Sequence, residues 1–104
     1  MKLRELAHSR TGDKGDTSII SVIAWNPADY PRLKAQVTTE AVSAYFRGVA
    51  RGAVTRYEMP GIYALNFVLE HALGGGVTRS LALDAHGKTL SYALLEMELP
   101  DWEG

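Results

Sequence analysis

With 104 residues and no cysteine, the chain has room for one domain around one core, and it excludes disulfides, thiolate metal sites and a cysteine nucleophile. Its 11 basic and 12 acidic residues leave a formal charge of -1, which gives no electrostatic footprint for nucleic acid. The opening MKLRELAHSR lacks the apolar centre of a signal peptide, and no apolar run approaches the ~18 to 20 residues that cross a bilayer, so the expected location is the cytoplasm, away from membranes.

In chain order, residues 2–8 predict a strand, followed by a polar loop, HSRTGDKGDTS, over residues 8–18. Residues 17–25, TSIISVIAW, are rich in β-branched side chains and stop at Asn26-Pro27, which predicts a buried strand. Asp29 is placed to cap a short helix over residues 30–36, with Pro31 in its first turn. Thr38 or Thr39 starts a second helix over residues 40–50, whose Val42, Tyr45, Phe46 and Val49 form one stripe. Residues 53–59 predict a strand ended by Pro60-Gly61. A helix is expected over residues 62–73, with Ile62, Leu65, Val68 and Leu69 facing the core and Gly74-Gly75-Gly76 ending it. Residues 77–83 and 88–99 predict two further strands joined as a hairpin through DAHG. This order predicts an α+β fold: a mainly antiparallel sheet with two main helices on one face, ferredoxin-like with an additional N-terminal strand.

The polar loop is the first candidate site. A Walker loop needs four residues between its first glycine and Gly-Lys-Ser/Thr, and a helix after it. Here two residues separate Gly12 from Gly15, Lys14 precedes the second glycine, and a β-branched segment follows. That reading fails. Three remain open: an anion site using Arg10, Lys14 and the amides of Gly12 and Gly15; a divalent cation on Asp13 and Asp16, which are fewer oxygen ligands than hard cations take; or a plain turn in which the Asp side chains bond to loop amides. His8, at the strand–loop junction, is a candidate general acid/base beside Asp13 or Asp16, against the alternative of a structural or solvated imidazole.

The predicted third helix carries the second candidate. Tyr63, Phe67 and His71 share the side away from its core stripe, an aromatic ridge that suits a partner surface unless the helix over residues 30–36 or the terminal DWEG folds over it. Asn66 lies at the edge of the core stripe, where its amide needs full hydrogen bonding, with the polar loop as a source.

Taken together, HSRTGDKGDTSIIS, RYEMPGIYALNFVLEHALGGGVTRSLALDAHGKTL and the terminal ELP resemble the AtuA-like ferredoxin-fold domain, named for an acyclic terpene utilisation protein. The run from Ser9 to Asp16 matches that family's Ser/Arg-x-Gly-Asp-Lys-Gly loop, and Ala64-Leu65-Asn66-Phe67-Val68 matches its second block. The similarity spans about residues 4 to 100, and the large domain that precedes such a domain elsewhere in the family is lacking. The resemblance implies a stand-alone, single-domain version, residues 1–104, acting with an AtuA-like large chain or as a homo-oligomer. It implies catabolism of branched or terpenoid acids as coenzyme A thioesters, with an acyl-CoA or another anionic small molecule as ligand. The loop with Asn66 would then form part of a shared ligand site, and Tyr63 and Phe67 a docking surface. An autonomous lyase or hydratase, with His8 or Asp16 as acid/base and the Gly12 and Gly15 amides polarising a carbonyl, is the alternative from another class. A simple anion-binding module is the third.

Overall fold

The protein is described as a computed structural model covering residues 1–14, 17–47, 52–70 and 88–102. Strand β1 (Ala7–Lys14) runs antiparallel to β2 (Thr17–Ala24), with Ala7 opposite Ala24 and Lys14 opposite Thr17. Two short helices, α1 (Tyr30–Gln36) and α2 (Thr39–Tyr45), lead to β3 (Val54–Met59). A 3-10 turn over Pro60–Ile62 then reverses the chain into β4 (Ala64–Leu69), and helix α3 (Lys88–Leu95) comes later. The sheet order is β1-β2-β4-β3, and β4 is antiparallel to both neighbours. Strands β2 and β3 are therefore parallel and separated by a strand that follows them in the chain. This is the split β-α-β unit of a ferredoxin-like α+β fold, with β1 added at the edge beside β2.

One side of the sheet makes the core. In β2 every second residue is buried, from Ser18 through Ile20 and Val22 to Ala24. Leu69, Phe67 and Leu65 of β4 lie opposite Ser18, Ile20 and Val22 and are equally buried. Leu33, Val37, Val42, Phe46, Leu90 and Leu94 from the three helices join the same cluster. The three helices among the described residues thus cover one face, as the two-residue side-chain period of a strand requires.

Polar contacts fix how the helices sit. The hydroxyl of Thr38 accepts from the Ala41 amide at 3.1 Å and starts α2. Arg56 on β3 donates to the carbonyls of Lys34 and Val37, at 2.8 and 2.9 Å, which the end of α1 leaves unpaired. The Tyr30 hydroxyl donates to the Ala64 carbonyl at 3.0 Å and ties α1 to β4. Past α3 the chain returns to its start: Leu3 N donates to Met97 O at 2.9 Å, and Lys2 bridges Glu98.

Several elements differ from the sequence reading. The segment expected as a helix over residues 62–73 is β4 as far as Leu69, because pairing on both edges outweighs its helical periodicity. Residues 88–95 form a helix rather than a strand, burying Leu90, Ser91 and Leu94. The expected loop over residues 8–18 is a strand as far as Lys14, and the expected strand over residues 2–8 begins with a 3-10 turn, Leu3–Glu5. Asp29 makes no capping bond; Asn26 instead caps the 3-10 turn Pro27–Asp29 by accepting from the Ala28 amide. The expected strand over residues 77–83, its hairpin and His86 lie outside the described residues.

Burial, and secondarily the Glu58 carboxylate, raise the Tyr30 hydroxyl above its usual 10.0. The neutral phenol is the folded form, so its contribution is whole below about pH 10 and is lost as pH climbs through the raised folded value. Thermal melts should show Tyr30→Phe about 1 kcal/mol less stable than the parent near neutrality, for the lost hydrogen bond. The variant should also decline less steeply than the parent once the pH passes about 10.

Candidate functional site

Strand alternation divides the polar residues of β1 between the two sides of the sheet. Ser9 and Thr11 share the helix face with Val22 and Ile20, while His8, Arg10 and Gly12 share the opposite face. The polar sequence that reads as a loop is therefore the pattern of an edge strand, where charge and small residues discourage stray pairing.

A crevice of about 250 Å³ lies between β1 and α3, bordered by Ser9, Arg10, Thr11, Ser91 and Tyr92. Ser9 Oγ donates to the Ser91 carbonyl at 3.3 Å across it. Beside it, Thr11 Oγ1 and the fully buried Ser18 Oγ have no hydrogen-bond partner among the described residues.

No described helix covers the opposite face. Its middle is a polar row across all four strands: Arg10 beside Ser21, Ser21 beside Asn66, Asn66 beside Tyr57. None of these four side chains hydrogen-bonds to another described residue. Apolar side chains flank the row. Ile19 and Val68 pair on one side of it, and Ile23 and Ala64 on the other. His8, opposite Ile23, stacks on Trp25 with ring centroids 4.3 Å apart.

The third feature is the tip where β2 ends and β4 begins. The Ala24 amide donates to the Tyr63 carbonyl at 3.0 Å, which sets Trp25 next to Tyr63. Trp25, Ile62 and Tyr63 expose 64%, 58% and 44% of their surface. Tyr63 is the one non-glycine residue with positive φ among those described (φ 56°), a left-handed conformation that costs an ordinary side chain roughly 1–2 kcal/mol. Its ring meets Tyr30 edge-on at 6.0 Å.

The structure thus brings Arg10 and Asn66 onto one face, with Ser21 between them. It separates other pairs. His8 and Asp13 are five positions apart along one extended strand, about 17 Å of backbone. Asn66 lies mid-sheet, four residues along β4 from the level of Lys14 and Thr17, roughly 13 Å from the hairpin end. Phe67 is fully buried against Ile20 and is no docking residue. Tyr63 keeps its exposure, on the tip rather than on a helical ridge. Gly15, Asp16 and His71 lie outside the described residues. Among the described residues no group of three or more His, Asp or Glu is gathered that would hold a metal ion, and no helix is long and apolar enough to cross a membrane.

With this geometry in place, comparison with known families is decisive for descent. The family model for the AtuA ferredoxin-like domain matches residues 1–100. The chain belongs to the AtuA ferredoxin-like domain family. No curated protein and no solved structure matches it. For this AtuA ferredoxin-like domain, the sequence reading passed over Trp25, Ser21 and Tyr57, and it set Ile62 in a helical core stripe although Ile62 ends a 3-10 turn and is exposed. The available signal was the alternation Leu65, Phe67, Leu69, which marks β4 as a strand and brings Ser21 and Tyr57 alongside Asn66.

The two orphan hydroxyls of the domain yield a stability prediction. Replacing an unpaired buried hydroxyl with a methyl of similar shape removes a desolvation cost without breaking a bond. Thr11→Val and Ser18→Ala should therefore leave the melting temperature unchanged or raise it, as read by circular dichroism.

Proposed function

We propose that this domain is a small accessory or regulatory subunit that acts with an AtuA-like large chain in the catabolism of branched or terpenoid acids carried as coenzyme A thioesters. The observation that carries the reading is the tip formed by Trp25, Ile62 and Tyr63, three large exposed side chains, of which Tyr63 is held in the unfavourable left-handed conformation. Strain of this kind is kept where a side chain must be presented, and aromatic residues are enriched in docking surfaces. The family's habit of following a large domain supplies the partner.

The ligand part of the reading rests on the hairpin end of β1. Gly12, Asp13 and Lys14 close the strand, Gly15 and Asp16 follow in sequence, and the Ser9 and Thr11 hydroxyls border the crevice, with Arg10 between them in the strand and its side chain on the opposite face. Cationic side chains and glycine amides suit the phosphates of coenzyme A better than they suit an acyl chain. The autonomous lyase or hydratase gains no support, because His8 stands far along the strand from the hairpin.

Mixed with its large chain, the protein should co-elute from a sizing column, and Trp25→Ala with Ile62→Asp should weaken that association at least tenfold. Separate elution of the unmodified chains overturns the docking reading. Coenzyme A at millimolar concentration should raise the melting temperature of the complex by a few degrees, and Lys14→Ala should at least halve the rise. The absence of any shift overturns the ligand reading.

A further inference from the structure

We propose that the sheet face that no described helix covers is where two copies of this chain pack together, related by a two-fold axis that runs parallel to the strands between β2 and β4. This surface adjoins the Trp25–Tyr63 tip through His8, which stacks on Trp25, but the inference does not depend on the large chain.

The register carries the argument. A two-fold axis in that position turns the strand order over, so β1 of one copy faces β3 of the other and β2 faces β4, while each cross-strand row stays at its own level. The polar row then meets itself reversed. Arg10 comes to lie over Tyr57 of the second copy, a guanidinium over an aromatic face. Ser21 comes to lie over Asn66 of the second copy, a hydroxyl opposite an amide. None of these four side chains hydrogen-bonds to another described residue, and the symmetry sets each against a polar or aromatic group of the second copy. The flanking rows carry no charged side chain, and Ala64 is already buried within its own copy. Ile23 faces Ala64, Ile19 faces Val68, and Gly12 faces Thr55.

Charge agrees. Arg10 is the one Lys, Arg, Asp or Glu among the described side chains of these three rows, and the axis carries the two arginines to opposite edges rather than together. Four strands about 4.8 Å apart, six to eight residues long, make a face of roughly 19 by 20–26 Å. Its flat area of about 380–490 Å² is roughly half of the ~800 Å² that each partner gives to a standard interface, which sets the pairing among the smaller, weaker ones. Sheets packed face to face this way lie about 10 Å apart with strands nearly aligned.

The test uses the full chain without the large subunit. At tens of micromolar its mass by light scattering should be twice the 11.4 kDa of one copy; a strictly monomeric mass overturns the proposal. Tyr57 is 55% exposed, so Tyr57→Lys should fold normally while setting a second cation opposite Arg10, and it should weaken dimerisation at least tenfold. An undiminished dimer overturns the proposal. The chain has no cysteine and a Cβ at Gly12 meets nothing within 4 Å, so a short bismaleimide should join Gly12→Cys to Thr55→Cys in an equimolar mixture and neither variant to itself. Equal cross-linking of Gly12→Cys alone overturns the axis. Should the lone chain be monomeric while Tyr57→Lys blocks co-elution with the large chain, the face belongs to that chain and the proposal falls.

Discussion

The pairing of β2 with β4 is the constraint on which the rest of the molecule depends. It joins two strands far apart in sequence, and both are central, with neighbours on each edge. On the helix side it sets Ile20 against Phe67 and Val22 against Leu65, the middle of the core. On the other side the same register sets Ser21 against Asn66 and Ile19 against Val68. A slip of one residue would turn Ser21 inward and Ile20 outward. Burial of one face therefore also fixes the chemistry of the other.

Around that pair, the other elements take places that their polar groups specify. Arg56 occupies the helix side of β3, yet its charge is spent on the last carbonyls of α1 and on Glu58, 3.3 Å away. Glu96, just past α3, holds both Lys2 at 2.7 Å and Arg4 at 3.1 Å. Its carboxyl lies below the usual carboxylate range, first through the Lys2 hydrogen bond and then through the Arg4 charge. These pairs are solvent-exposed and orient the chain's two ends rather than supplying much stability.

The sequence showed these features unevenly. Strand β2 was legible because alternation and β-branching agree over eight residues and Asn26-Pro27 stops it. Helix α1 and the Thr38 cap were legible for similarly local reasons. Strand β4 was not, since in a short, largely apolar run Leu65, Val68 and Leu69 satisfy a helical period while Leu65, Phe67 and Leu69 satisfy an extended one, and only its neighbours decide. That single ambiguity misplaced Phe67, put Tyr63 on a ridge that does not exist, and hid Asn66's true neighbours. The alternation at residues 88–99 failed in the opposite direction: Leu90 and Leu94 are four apart and suit a helix equally well. The order of elements still reached the α+β class, because β2, the two short helices and β3 were placed correctly, and the family resemblance, resting on blocks of residues, agreed with it.

The one-sided core also leaves the sheet with a reverse that folding does not use. At Arg10, Ser21, Asn66 and Tyr57 the side chain touches none of the core cluster, so exchanging it alters little beyond strand preference, within about 1 kcal/mol. That makes the domain a natural chassis: recognition can be rewritten across a whole rigid plane while the scaffold beneath keeps its shape.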